Sequence, residues 1–507
     1  MNKLLSAGMA VLMTGAMAFG VAACGDPSDG GNPSGDGGNS GTEPMEITSA
    51  FDRGDYLARG VDDHYVVYDD ASGLSSVGYY NALEGGTDGT ANCYEYSSLI
   101  DMAISLYEAS EDEADKEYYK SLMEGYIDGL QYYRGSGELT STHGTAVWDK
   151  LYAVQRQAEP DSASIAGVNM VYDDLMWLIR DFISAYEITG NEDYLAQAEY
   201  MAKCCLDGWD STKGGIGGIT WGPGYGSKHT CSNAPFISAL CRLAEIYADS
   251  DDKITEEDTV FAEQKFSNEH VEWESMVGMK KSEYYLHWAK EVYNFTYTYL
   301  RNTDNTFADN LRSAEEIAND ESAPGGKYKY FAPYTGEISR EKFTYNVGAM
   351  VSGAAWLYKL TGEESYLEQG CSMMEAAHNH FAKTVTLEDG TQMQMYDCRT
   401  TLYFNTVLLR GYIDMADAVT EKKPANSEDI LAEAESYIGV FKSSLDYAFD
   451  NYLLNRTLPH NYLQGWLYGD DTIKNTFDSH KDVKDATASP VLYGLIAGYE
   501  ATYGEIK

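Results

Sequence analysis

Carboxylates are the side chains in this sequence whose spacing offers the clearest chemistry. Adjacent aspartates occur at Asp62-Asp63, Asp69-Asp70, Asp173-Asp174, Asp251-Asp252 and Asp470-Asp471. Four of these pairs stand in polar, turn-like surroundings. Asp173-Asp174 follows Asn169-Met170-Val171-Tyr172 and runs straight into Leu175-Met176-Trp177-Leu178-Ile179. Two acids at the start of an apolar helix fit a dipole-stabilised helix entry. They equally fit a catalytic pair in a water-poor setting. The residues alone leave both readings open. The catalytic reading is glycoside hydrolysis, which uses two carboxyl groups, about 5–5.5 Å apart in a retaining enzyme. Neighbouring side chains at a helix entry reach that separation. Like charges so close raise one pKa, leaving one protonated acid and one ionised nucleophile.

Other chemistries lack their signatures. There is no G-x-S-x-G elbow, no H-E-x-x-H and no phosphate-cradling G-x-x-x-x-G-K. The 9 histidines are scattered, and His143, His229 and His460 fall in or near loops as ordinary polar residues. The cysteines beyond Cys24 are Cys93, Cys204, Cys205, Cys231, Cys241, Cys371 and Cys398. None of their spacings is a metal-ligand pattern, so they read as buried small hydrophobes, with at most one disulfide. The expectation is no metal and no cofactor.

Charge narrows the partner. The 507 residues carry 36 Lys+Arg against 80 Asp+Glu, a net charge of −44. That balance argues against nucleic acid, whose phosphates are bound by neutralising them. It also argues against docking on an anionic membrane through a basic face. The chain has 42 Tyr and 8 Trp. Acids beside stacking rings suit a neutral sugar polymer, although tyrosines also serve as amphipathic packing residues in helical folds.

The elements that must position the pair are helices. Stripes at i, i+3, i+4 and i+7 run through Leu175, Leu178, Ile179, Phe182 and Tyr186 and through Val347, Met350, Val351, Ala354 and Tyr358, and a third helical run has Leu402, Leu408, Leu409, Tyr412 and Ile413. Further helices are predicted over 92–109, 113–133, 191–206, 233–248, 281–300, 364–382, 427–450 and 485–503. From about residue 90 strand alternation is scarce. Tyr186-Glu187-Ile188-Thr189-Gly190 with Tyr194-Leu195, and Tyr358-Lys359-Leu360-Thr361-Gly362 with Tyr366-Leu367, form a weak repeat. Each copy is a helical hairpin turned by a glycine cap. About twelve helices make six hairpins, enough to close an all-α (α/α)6 barrel. The long connections 134–172, 207–232 and 301–342 then carry function at one mouth. The acidic stretch Asp249 to Asp258 reads as a surface insertion that holds no metal.

The N-terminus sets the compartment. Lys3 precedes an apolar run from Leu4 to Val21, ending in Val21-Ala22-Ala23-Cys24. Residues 1–23 read as a lipoprotein signal peptide and Cys24 as the lipidated residue. Residues 24–50, rich in Gly, Asp, Ser, Asn and Pro, read as a flexible tether. Residues 51–507 read as a single catalytic domain. The expectation is a monomer at the cell surface, attached to the membrane through its N-terminal lipid.

These residues resemble glycoside hydrolase family 76, bacterial and fungal endo-α-1,6-mannanases and related transglycosidases. The resemblance runs through Val171-Tyr172-Asp173-Asp174-Leu175-Met176-Trp177, Ala185-Tyr186-Glu187-Ile188-Thr189-Gly190, Gly208-Trp209-Asp210, Gly214-Gly215-Ile216, Trp221, Lys228 and Asn233. It resumes at Thr344-Tyr345-Asn346-Val347-Gly348 and Leu357-Tyr358-Lys359-Leu360-Thr361-Gly362. It implies an (α/α)6 barrel and a retaining, cofactor-free mechanism on α-mannan. Asp173 matches the nucleophile and Asp174 the acid/base. Trp177, Trp221, Asn233, Tyr345 and Asn346 are the expected substrate contacts. Residues 62–92 and 249–280, and Pro235 early in its helix, depart from the pattern. Two other readings stand beside this one: a sugar-binding surface lipoprotein that has lost catalysis, and another α/α-toroid glycosidase or a polysaccharide lyase. The acidic balance disfavours the lyase, whose acidic substrate calls for a basic groove.

Overall fold

The protein is described by a computed structural model covering residues 47–80, 85–211, 215–259, 264–265, 276–312, 338–387, 389–398, 400–459 and 482–506. The signal, Cys24 and nearly all of the tether lie outside these residues, as does His460. Residues 47–507 form one compact unit.

Twelve α-helices are present among the described residues. They are α1 (Ala50–Tyr65), α2 (Cys93–Ala109), α3 (Glu113–Gly129), α4 (Tyr172–Thr189), α5 (Glu192–Asp207), α6 (Ala234–Ile246), α7 (Lys281–Tyr299), α8 (Thr344–Thr361), α9 (Glu364–Phe381), α10 (Phe404–Lys422), α11 (Ser427–Tyr452) and α12 (Val483–Tyr503). Helices α2, α4, α6, α8, α10 and α12 pack in that order, and α12 returns to α2. They form the inner ring of an α/α toroid. Their partners lie outside: α3 on α2, α5 on α4, α7 on α6, α9 on α8 and α11 on α10. The sixth pair differs. Helix α12 packs on α1, so the two ends of the unit close the ring.

Composition explains the two layers. The outer helices bury one stripe each, such as Tyr119, Leu122, Met123, Tyr126 and Ile127 on α3. The inner helices are buried nearly all round, as in Val347, Gly348, Ala349, Met350, Val351, Ser352, Gly353, Ala354 and Ala355 on α8. Small residues let inner helices touch. A Cβ on Gly348 would lie 2.5 Å from the Leu408 Cα of α10, and one on Gly411 would lie 2.5 Å from the Gly348 carbonyl oxygen.

The repeat is a real structural unit. Gly190 and Gly362 cap α4 and α8 in the left-handed region, at φ 70° and 69°. In both, a threonine ends the helix. Thr189 donates to the Ala185 carbonyl, Thr361 to that of Leu357, and each hydroxyl accepts from the backbone N–H two residues on.

Segments entering the inner helices are long: 66–92, 130–171, 208–233, 300–343, 382–403 and 453–482. Segments leaving them are two to four residues at 110–112, 190–191, 362–363 and 423–426. Residues 247–280 are the exception. All six inner N-termini therefore open onto one mouth, edged by the described parts of these segments.

Two expectations need correction. The stretch 134–172 contains an antiparallel hairpin, Arg134–Ser141 paired with Gly144–Tyr152, and a second hairpin pairs Ala382–Thr386 with Gln392–Tyr396. Short sheets edge the mouth, where two strands satisfy backbone groups that a bare loop would leave exposed. Helix α1 lies before residue 90, its stripe of Leu57, Ala58, Val61 and Tyr65 masked by interspersed aspartates and glycines. All seven cysteines from Cys93 onward are free thiols and five of them are buried, within the expectation of at most one disulfide.

Candidate active site

The helix carrying Asp173 and Asp174 starts where its first N–H groups lack intrahelical partners. Val171 occupies the cap with no side-chain bond to offer. A loop carbonyl takes its place, because the Tyr172 N–H donates to the Trp221 carbonyl at 2.9 Å. The Trp221 indole Nε1–H in turn donates to Asp173 Oδ2 at 3.3 Å. Trp221 thus fixes the helix entry with its backbone and one carboxylate with its side chain.

The loop that delivers Trp221 is built from its own residues. Asp210 N–H meets the Gly218 carbonyl at 2.9 Å, and Trp221 N–H meets that of Ser227 at 2.9 Å. Gly218 adopts φ +83°, and a Cβ there would strike the Phe295 ring at 2.4 Å. Beneath the loop, Lys228, 1% exposed, is paired with Asp210 at 2.5 Å. The Trp221 ring stacks on His229, with centroids 4.9 Å apart at 24°. Burial holds the His229 pKa down at about 3, so the imidazole is neutral and stiffens the indole without charge.

The two carboxylates differ in environment. Asp174 is 8% exposed, and burial followed by the nearby charges of Asp173 and Glu95 pushes its pKa well up. These surroundings favour its neutral form. Burial also raises Asp173, but there the Cys231 thiol, the Trp221 indole and backbone amides at the helix start favour the anion. Pairs whose surroundings separate their protonation states are what acid and nucleophile roles require.

Tyr345 and Asn346 open α8 on the same mouth. The Tyr345 hydroxyl donates to Asp309 Oδ1 at 3.3 Å, and Asn310 Nδ2 donates to Asp309 Oδ2 at 2.7 Å. Burial pushes the Tyr345 pKa well up, and Asp309 and Asp173 are among the groups that act on its hydroxyl. Asn346 is fully buried and faces Asp309. Trp177 lies one helical turn below the pair, 9% exposed, with its ring 6.4 Å from that of Tyr94.

Asn233 behaves differently from a sugar contact. It is fully buried, its Nδ2 donates to the Ile219 and His229 carbonyls at 2.9 and 2.8 Å, and its Oδ1 accepts from the Ile219 N–H at 2.8 Å. Both ends of the amide are engaged, so Asn233 clamps the Trp221 loop onto α6. Pro235, in the first turn of α6, needs no backbone donor there.

Sequence reasoning missed Tyr94, Cys231 and Asp309. Tyr94 opens α2, and the charges of Asp173 and Asp174 act on its hydroxyl. Its one available signal is that it opens a predicted inner helix, as Asp173 and Tyr345 do. Asp309 immediately precedes a two-residue strand, Asn310–Leu311, that pairs with Lys228–His229 and Ile338–Ser339, which no local pattern announces. Among the described residues no cluster of His, Cys, Asp and Glu is arranged to hold a metal ion.

An α/α toroid with an acid pair at an inner-helix entry, beside aromatic side chains, is an arrangement suited to hydrolysis of a glycosidic bond. The chain belongs to glycosyl hydrolase family 76, whose profile matches residues 71–256 and 276–442. Its fold is similar to that of a family 76 glycoside hydrolase from a bovine Bacteroides thetaiotaomicron strain, at TM-score 0.63 and 23% identity over 89% of this chain and 78% of that one. The mannosidase Bt3792 of Bacteroides thetaiotaomicron VPI-5482 is similar at TM-score 0.62 and 21% identity, over 89% of this chain and 99% of that one. So is an inactive variant of the α-1,6-mannanase GH76A of Salegentibacter sp. HEL1_6, in complex with α-1,6-mannotetrose, at TM-score 0.56 and 18% identity over 89% and 99% of the two chains. No curated protein matches the chain.

Proposed function

We propose that this glycoside hydrolase is a retaining endo-α-1,6-mannanase held at the cell surface by a lipid on Cys24. The observation that carries the reading is the unequal pair: a buried Asp174 whose pKa is pushed well up, beside an Asp173 whose carboxylate accepts from the Trp221 indole. In the first step Asp174 gives its proton to the glycosidic oxygen as that bond to the anomeric carbon breaks. Asp173 forms a bond to the same carbon, giving a glycosyl-enzyme ester. In the second step Asp174, now a carboxylate, takes a proton from water, which displaces Asp173 and restores both groups. The linkage draws support from the α-1,6-mannanase likeness, whose inactive variant has two consecutive aspartates replaced. Trp177, Trp221, Tyr345 and Asn346 are the proposed substrate-side residues, with Asp309 beside them.

The deciding experiment incubates the protein with linear α-1,6-mannan and follows chain length and product anomer. Mid-length fragments released first, with the α-anomer retained, are expected. Intact mannan overturns the substrate, and an inverted anomer overturns the mechanism.

A further inference from the structure

Below the Asp pair, the lumen holds a set of charged side chains that the reaction above does not use. Its hub is Asp101 on α2, 2% exposed. Asp101 Oδ1 pairs with Arg180 of α4 at 2.8 Å and with Arg410 of α10 at 2.8 Å. Its Oδ2 accepts from the Tyr403 hydroxyl, at the start of α10, at 2.8 Å. One carboxylate therefore ties three inner helices across the lumen. Two guanidinium groups keep it ionised despite its burial.

Two of these partners lead back up to the site. The Arg180 guanidinium lies 5.1 Å from the Trp177 ring centroid, one turn below the indole on the same helix. The Tyr403 ring meets Tyr94 edge-on, at 6.0 Å and 79°, and Tyr94 neighbours Trp177 at 6.4 Å. Trp177 and Tyr94 form an aromatic floor under the carboxylates. Asp101 reaches both rings, one through Arg180 and the other through Tyr403.

We propose that Asp101 is a positioning residue, which sets Trp177 and Tyr94 against the sugar ring bound at Asp173 and Asp174. The proposal rests on the glycosidase reading of that site. Apolar packing of equal volume holds a core at least as well as a buried ion pair does, so what such a network adds is defined geometry. Ring contacts alone are weakly directional, whereas charge-assisted hydrogen bonds fix distance and angle.

The test compares the protein with Asp101→Asn and Tyr403→Phe on α-1,6-mannotetraose. Arg180 keeps a second carboxylate, Asp181, at 3.2 Å, so Asp101→Asn does not leave it unpaired. Tyr403→Phe removes a single hydrogen bond and leaves every ion pair. Displacing a bound ring by about 1 Å costs up to about 100-fold, so both variants should lose between 10- and 100-fold in kcat/KM, with KM raised, at wild-type far-UV circular dichroism. A structural role alone lowers the unfolding midpoint and leaves KM of the folded fraction unchanged.

A second readout needs no turnover. The emission of Trp177, taken by difference from Trp177→Phe, should become more accessible to acrylamide quenching in both variants. Should Asp101→Asn fail to fold, Tyr403→Phe decides. Folded variants with wild-type kcat/KM and unchanged Trp177 quenching overturn the proposal. If the wild-type protein cleaves no α-1,6-mannan, the proposed function falls and the quenching comparison decides the positioning role by itself.

Discussion

Asp173 and Asp174 share a helix turn yet meet different surroundings, and that difference can be measured. On the proposed mechanism, Asp173→Asn removes the nucleophile and Asp174→Asn the acid. Each should lower turnover of mannan by at least about 100-fold, the lower range for general acid–base catalysis. An activated leaving group needs no proton, so aryl mannosides with good leaving groups should restore glycosylation in Asp174→Asn. They should not restore it in Asp173→Asn. Stopped-flow release of the aryl group checks both. The raised Asp174 pKa also has a stability consequence. The folded state holds a proton that the unfolded chain has lost above its own carboxyl pKa, near 3.9. The unfolded state therefore binds fewer protons, and stability falls as pH rises from there towards the folded pKa. Asp174→Asn escapes that penalty. Its unfolding midpoint should exceed that of the wild type at pH 7, and the difference should shrink towards pH 4. An unchanged difference across that range contradicts the assignment.

At the scale of elements, the long entering segments and short leaving segments explain why the site lies at one mouth. Inner helices present free N–H groups and the positive end of the dipole there, which favours carboxylates such as Asp173. The inner ring is drawn tight by glycines. At Gly348 a methyl group would meet α10 backbone at 2.5 Å, and backbone cannot rotate away. Gly348→Ala should cost about 1–3 kcal/mol, the usual range for overpacking. Because Gly348 lies one turn beyond Tyr345, the same change should lower kcat/KM more than an equally destabilising change on an outer helix. Chemical denaturation and steady-state kinetics on the same samples check this. A Gly348→Ala protein with wild-type stability would show that α8 and α10 have room to separate.

For the whole molecule, closure of the ring by α1 and α12 makes the fold depend on contacts far apart in sequence. Arg53 of α1 bridges to Asp446 and Asp450 of α11 at 3.1 and 2.7 Å, and Asp446 also accepts from Tyr493 of α12 at 3.1 Å. The chain as a whole carries a net charge of −44. It repels polyanions over the Debye length, about 8 Å at physiological salt. A neutral polymer is unaffected, which is consistent with mannan as the substrate. Anchoring operates at the same scale. One acyl chain holds a protein only marginally, and stable attachment takes two. Cys24→Ala should therefore shift the protein from the membrane fraction to the soluble fraction, or leave the unprocessed precursor. Mature Cys24→Ala protein that still sediments wholly with membranes refutes lipid attachment at Cys24.

The sequence by itself determined the helices, their hairpin repeat and the acid pair. Each is a local pattern: apolar residues spaced at 3–4 along one face, a glycine after Tyr186-Glu187-Ile188-Thr189, two aspartates before an apolar run. Trp221, Tyr345 and Asn346 were also legible as mouth residues, because they stand in loops or at helix starts. What local pattern cannot contain is which distant residue meets which. Only the tertiary structure gave Asn233 its clamp, since its partners are the backbone of Ile219 and His229. It alone brought Asp309 to Tyr345, 36 residues away, and Asp101 to Arg410, 309 residues away. It also gave the two acids different surroundings. Asp173 and Asp174 are the same residue type on the same turn. They differ because the Trp221 indole, delivered by a folded loop, reaches the Asp173 carboxylate, while burial, Asp173 and Glu95 act together to push the Asp174 pKa well up.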